Sequence, residues 1–184
     1  MLVLWIVLGV LVVAGLYLMV LYNGLVRLRN RIEAAWAQID VQLRRRYDLI
    51  PNLVETVKGY ASHERDTLDS VTKARAAAES ATGPADQAAK ENALTQTLRS
   101  LFAVSEAYPD LKANQNFLAL QEELSATEGR IAYARQYYND AVQRYNTKIQ
   151  SFPAVLIAGA LRFQEREYFE ADGESRGPVN VSFS

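Results

Sequence analysis

The chain has no cysteine, which excludes disulfides, thiolate nucleophiles, Cys-ligated metals and a lipid-modified N-terminal Cys. Its single histidine, His63, cannot form a two-His metal site by itself. Only five prolines and nine glycines punctuate 184 residues, so long regular elements are expected and many-turn sandwiches or barrels are not. No charge dominates: 20 Lys+Arg stand against 21 Asp+Glu, a formal net charge of -1. A nucleic-acid binder needs a basic field over the whole domain, so no nucleic-acid partner is expected. HExxH, GxGxxG, GxxxxGK[ST] and GxSxG strings are missing, and with them the signatures of zinc hydrolysis, dinucleotide or phosphate binding and nucleophile elbows. The expectation is therefore no enzyme, with no catalytic residue, cofactor, metal or small-molecule substrate. Neighbouring carboxylates such as Glu122 with Glu123, or Asp66 with Asp69, read as the solvated side of amphipathic helices.

What the chain does have is one long hydrophobic run. Twenty of the first 22 residues are hydrophobic and none is charged, Gly9 and Gly15 being the exceptions to the hydrophobic set. That matches the roughly 20 helical residues needed to cross a bilayer, with Trp5 near one interface and Tyr17 and Tyr22 near the other. No basic stretch precedes the run and no small-x-small site ends it, so it reads as a retained anchor, not a cleaved signal peptide. Arg27, Arg29 and Arg31 follow the span and no Lys or Arg precedes it. The positive-inside rule then places the N-terminus outside and the remainder in the cytoplasm, a single-pass protein of the cell membrane.

Beyond the span the pattern is helical throughout. Leu25, Leu28, Ile32, Trp36, Ile39, Leu43, Ile50, Leu53, Val57 and Tyr60 step by threes and fours along one helix face. Pro51 interrupts that run. Either Asp48 caps a second helix that begins there, or one helix kinks and continues from about Tyr22 to Glu79; the apolar phase, which carries across the proline, favours the kink. Gly83-Pro84 is a stop, Asp86 to Ala107 forms a further helix, and Tyr108-Pro109-Asp110 closes it. Next, Phe117, Leu120, Leu124, Thr127, Ile131, Ala134, Tyr138, Ala141 and Tyr145 give coiled-coil-like packing along a helix of about 40 residues. Phe152-Pro153 ends it, Ala154 to Phe163 reads as a short buried helix, and the chain from Asp172 onward reads as an irregular tail. The expected organisation is all-α: a transmembrane helix over 1–22, an elongated antiparallel helical bundle of the four-helix type over 23–171, with breaks near Pro51, 81–85 and 108–110, and a tail over 172–184.

Two strings invite a chemical reading. Ser62-His63-Glu64-Arg65-Asp66 has the look of a phosphoaccepting histidine segment on a helical bundle, but Arg65 stands where an apolar residue is expected and the following proline is missing. The aromatic cluster Tyr133, Tyr137, Tyr138 and Tyr145 suits half-buried seam positions better than a ligand box.

A family resemblance is carried by longer strings. Tyr22-Asn23, Ala35-Trp36, Gln38-Ile39-Asp40, the run from Asp48 through Pro51-Asn52 and Glu55 to Tyr60, His63-Glu64, Tyr108-Pro109-Asp110-Leu111-Lys112-Ala113-Asn114, Tyr138-Asn139, Tyr145-Asn146 and Phe152-Pro153 together resemble the LemA family of bacterial membrane proteins. Trp36, Asp48, Pro51, Asn52 and Glu55 are the family-motif positions with a structural role. The resemblance implies a helical bundle behind a short N-terminus and one transmembrane helix, with no established reaction. It also implies relatives in magnetosome membrane formation and others beside membrane proteases. Some relatives carry a lipid-anchor Cys just before the Tyr-Asn pair, where this chain has Leu21.

Helix lengths supply a final expectation. The long fourth stretch outruns its partners and leaves an apolar stripe uncovered, which predicts a homo-oligomer. Its contacts are expected at Leu25, Leu28, Ile32, Tyr138 and Tyr145. The function read from all of this is a non-enzymatic scaffold that self-associates and organises or shapes the bilayer or membrane-protein partners. The alternatives are a phosphotransfer bundle using His63 and an adaptor for a membrane protease.

Overall fold

Nothing in the sequence tells the helix to stop where the apolar run ends, because Leu25, Ile32 and Ile39 resume a core-facing stripe at once. In the computed structural model, which describes residues 1–170, a single helix α1 accordingly runs from Leu2 to Tyr60, 59 residues or about 90 Å at 1.5 Å per residue. It contains one stretch long and apolar enough to cross a membrane, and none of that stretch is buried. The tail expected over 172–184 lies outside the described residues.

Pro51 sits inside α1, and Asp48 is an exposed mid-helix residue, not a cap. A proline in a helix interior removes the N–H that would bond to the carbonyl four residues back, here that of Tyr47. Arg75 supplies the substitute: its Nε donates to the Tyr47 carbonyl oxygen at 2.8 Å. The helix therefore passes the proline with its freed acceptor satisfied from a neighbouring element.

The helix does not reach Glu79. It ends at Tyr60, and α2 (Arg65–Glu79) starts after a turn over residues 61–64. No proline marks this break, and Gly59 is the one weak helix former beside it. Contacts with the connection two helices later hold it: the Tyr108 hydroxyl donates to Glu64 at 3.0 Å, and the Asn114 amide donates to the Tyr60 hydroxyl at 2.9 Å. Helix α3 (Pro84–Ser105) begins with Pro84 at its first position after Gly83, whose φ of 85° is costly for any residue with a Cβ. A short turn of helix, α4 (Pro109–Lys112), leads to Asn114, whose side-chain oxygen accepts from the Phe117 amide at 3.0 Å. That is an N-cap, and α5 (Gln115–Gln150) follows it. After a cis Phe152–Pro153 peptide comes a single turn, α6 (Val155–Ala158). No strand occurs among the described residues, and the fold is all-α with an apolar N-terminal helix leading the others.

The helices serve two compact units, and α1 and α5 contribute to both. One comprises residues 1–38 with 136–166; its core holds Leu25, Ile32, Ala35, Tyr138, Val142, Tyr145 and Ile149. The Trp36 ring meets Tyr138 edge-on at 5.4 Å. The segment expected as a short buried helix belongs here, but only Ala154, Ala158 and Phe163 of it are buried, while Val155, Leu156 and Leu161 are exposed. The other unit comprises residues 39–135 with 167–170. Its core gathers Ile39, Leu43, Leu53, Val57, Val71, Leu94, Leu101, Leu111, Phe117 and Leu124. The breaks expected near 81–85 and 108–110 fall where α3 and α4 begin.

The Arg75 bond gives a direct test. Arg75→Met should cost about 1–3 kcal/mol by orphaning a helix carbonyl, beyond the small loss of its exposed i,i+4 pair with Glu79. In a Pro51→Ala background, which restores the helical N–H donor, that cost should shrink to the ion-pair remnant; urea denaturation of the four proteins in detergent measures the coupling.

Candidate functional site

A chain without catalytic motifs is best read through its buried polar groups, since each must be compensated to persist. The second unit contains a closed network of them on α1 and α3. Arg46 and Tyr47 enter the core side by side because α1 turns both inward there, and α3 presents Gln87, Glu91 and Thr95 at four-residue spacing on one face. Arg46 Nη1 donates to Glu91 Oε2 at 3.0 Å and Nη2 to Thr95 Oγ1 at 2.7 Å. Nη2 also pairs with Glu128 Oε2 of α5 at 3.2 Å. The Tyr47 hydroxyl donates to Glu91 Oε1. Gln87 Nε2, with two hydrogens to donate, lies within hydrogen-bond reach of three acceptors: that same oxygen at 3.0 Å, the Tyr47 hydroxyl at 2.9 Å and the Ala78 carbonyl at 3.1 Å. Arg46 Nε finds no partner among the described residues.

Burial dominates the electrostatics. It holds the Glu91 carboxyl above its ordinary value of 4.5, although Tyr47, Arg46 and Gln87 all pull it down. Burial, with the hydrogen bond to Glu91, also pushes the Tyr47 phenol far up. Sequence reading missed Glu91 and Gln87, which look like any polar residues of an amphipathic helix. The only signal was that Arg46, alone among Arg44, Arg45 and Arg46, falls on the apolar phase of Leu43, Ile50 and Leu53.

The expected site residues are placed as follows. Leu25, Ile32, Tyr138 and Tyr145 are buried within the chain, at 7% exposure or less, and Leu28 is half-buried. Within the chain, the end of α5 and the segment after it cover the stripe that length arithmetic left bare. Arg27 and Arg31 are exposed, while Arg29 stacks over Phe163 at 5.9 Å. Asp48, Pro51, Asn52 and Glu55 lie on one exposed face of α1, and Trp36 is half-buried. His63 is exposed in the α1–α2 turn, not on a helix, which removes the placement a phosphoacceptor histidine needs. Among the described residues no group of three His, Asp or Glu could hold a metal. The recess beside the network, about 420 Å³, is lined by Thr95, Leu98, Arg99, Phe102, Leu124 and Glu128, one carboxylate and one guanidinium among apolar and neutral side chains.

Residues 35–183 match the profile of the LemA family. The chain belongs to the LemA family. Among its relatives is Protein LemA of Metamycoplasma hominis, 27% identical over 164 residues, which is 87% of this chain and 74% of that protein. Magnetosome protein MamQ 2 of Paramagnetospirillum magneticum is 25% identical, over 88% of this chain and 69% of that one. Magnetosome protein MamQ of Magnetospirillum gryphiswaldense is 24% identical over the same shares. None of these names denotes an enzyme. The LemA match starts at residue 35, so it covers the bundle helices and leaves the apolar run outside it.

The network predicts a graded response. Glu91→Ala should destabilise by about 3–5 kcal/mol, because it strands a buried guanidinium, and Glu91→Gln by less. The native carboxyl holds its proton more tightly than the unfolded one, so its contribution is full below about 4.5 and falls as pH rises through the raised native value. Stability of wild type minus that of Glu91→Gln, from denaturation across pH in detergent, should therefore decline as pH rises above 4.5.

Proposed function

We propose that this LemA-family protein is a non-enzymatic, membrane-anchored scaffold that self-associates and organises the bilayer or membrane-protein partners, with its helical bundle in the cytoplasm. The observation that carries the reading is the continuity of α1. One helix contains both the unburied, membrane-length apolar stretch and the core residues Leu25 to Val57, so anchor and bundle have no flexible joint between them. A tethered enzyme or a swinging adaptor has no need of such a joint-free connection, whereas a protein that transmits its own packing to the membrane does. The magnetosome names of the MamQ relatives fit a role at membranes, and Arg27, Arg29 and Arg31 support the cytoplasmic side.

Self-association is favoured by confinement to one membrane plane, which raises the effective concentration of neighbours. Since the residues first expected at the contact are covered within the chain, Tyr133, 74% exposed on α5, is the aromatic side chain we assign to a neighbouring copy.

Mass measurement of the full-length protein in mild detergent should give an oligomer that persists across micromolar concentrations, weakened by Tyr133→Glu. A strict monomer would leave an adaptor for another membrane protein, such as a protease, in its place. A cytoplasmic reporter fused after Ser184 should be active; activity of an export reporter there instead would reverse the orientation.

A further inference from the structure

The chain leaves α5 at Gln150 and doubles back through residues 151–163, and this segment inverts the usual sorting of side chains by size. Its buried residues are Ala154, Ala158 and Phe163, whereas Phe152 (80% exposed), Leu156 (70%), Val155 (49%) and Leu161 (43%) face outward. A segment folding against water buries its large apolar groups and leaves its alanines out, because the gain scales with the apolar area removed. Over residues 152–161 two of three alanines are inside and four large apolar side chains are outside, with Phe163 the one large group of the return that is buried, so the surroundings of that face are not simply water.

The level of the segment along α1 identifies those surroundings. Trp36 packs on Tyr138, and Arg46 pairs with Glu128. Ten residues toward the apolar run on α1 thus match ten residues toward the C-terminus on α5. The same antiparallel register brings Phe152 level with Tyr22, where the uncharged run ends. Phe163 gives the level independently: its ring meets that of Tyr22 at 5.7 Å. Leu21, the last aliphatic residue of the run, is buried at 7% exposure while the residues before it are exposed, so this unit closes over α1 at the edge of the span.

We propose that residues 152–161 insert into the bilayer leaflet beside the exit of α1, with Phe152, Val155, Leu156 and Leu161 among the upper acyl chains. The exposed Arg27, Arg31 and Arg162 stand at the level of the lipid phosphates. This is a second, interfacial membrane contact of the kind that reaches about 5–10 Å into the headgroup boundary, and its basic neighbours complement anionic headgroups. It rests on α1 as a membrane anchor. Lipid is favoured over a second copy as occupant because any surface at the level of Tyr22 meets the leaflet whether or not neighbours are present.

The absence of cysteine makes the test direct. Leu156→Cys, Val12→Cys and His63→Cys, each in the full-length protein, are labelled with an environment-sensitive fluorophore and reconstituted into phosphatidylcholine–phosphatidylglycerol vesicles; His63 is exposed in the α1–α2 turn and serves as the aqueous reference. Quenchers are placed on the lipid acyl chains or, as iodide, in the water. The label at Leu156 should be quenched several-fold more by shallow acyl-chain quenchers than the label at His63, and several-fold less by iodide, while Val12 responds to deep quenchers. Iodide quenching at Leu156 equal to that at His63, with Val12 still reached by lipid quenchers, overturns the insertion and leaves the anchor standing. Shielding of Leu156 from both iodide and lipid assigns the face to a second copy and also overturns it. A Val12 label untouched by lipid quenchers removes the anchor and the insertion together.

Discussion

The structure depends on α1 staying one helix. Its first third is an unburied apolar rod and its remainder supplies core residues to both units, so any break would uncouple the bundle from the anchor. The weak point is Pro51, which forfeits a hydrogen bond and crowds the preceding turn. The chain tolerates it because the carbonyl left over, that of Tyr47, lies where α2 passes, and a charged donor from Arg75 reaches it. A charged donor makes a stronger bond than the amide it replaces. The same contact that preserves α1 also fixes α2 against it. The defect is thus used as a point of attachment.

One residue earlier, α1 buries Arg46, and the helices around it are organised by that choice. A buried guanidinium is costly unless geometry compensates it, and Glu91, Thr95 and Glu128 do so from α3 and α5. Strongly shifted groups are often catalytic, and Glu91 and Tyr47 are shifted. Their partners argue otherwise. Both Glu91 oxygens are engaged by side chains of the same network, and the carboxyl is buried. Such an arrangement penalises every register of α3 that does not place Glu91 opposite Arg46. Its role is specificity of packing.

Local chemistry made most of the helices legible. The Gly83-Pro84 start, the Tyr108-Pro109 stop and the seam from Phe117 to Tyr145 could be read because backbone preference and periodicity agree at those positions. The end of α1 at Tyr60 could not be, since Ser62 and His63 carry no strong stop and the turn is held by Tyr108 and Asn114, about fifty residues away in sequence. Burial of Glu91 was equally hidden, because a carboxylate on a helix says nothing of the arginine it will meet. The cover over the membrane-proximal stripe was hidden for a related reason. Length arithmetic compared helices only with helices, whereas the described residues after Gln150 form no helix beyond one turn and still meet α1 through Phe163 and Arg166. Asn146 fixes that return by a reciprocal pair of hydrogen bonds with the Arg166 backbone, both at 2.9 Å.

Continuity has a geometric consequence for the proposed self-association. Residues on a helix are related by a fixed rotation, so the setting of α1 in its unit also sets the rotation of the span. The buried stripe of Ile32, Leu25 and Leu21, carried upward by steps of three and four, passes through Leu18, Ala14, Leu11 and Val7. That face of the span lies above the side of α1 already covered by the end of α5. The opposite face, free of such cover, includes Leu16, Val12 and Val20. Contacts between spans and contacts between bundles are therefore not independent choices: a pairing that turns one face of the span inward turns a defined face of α1 toward the neighbour below it. A flexible linker would have allowed either contact without the other, and the unbroken helix requires both to be satisfied by one arrangement.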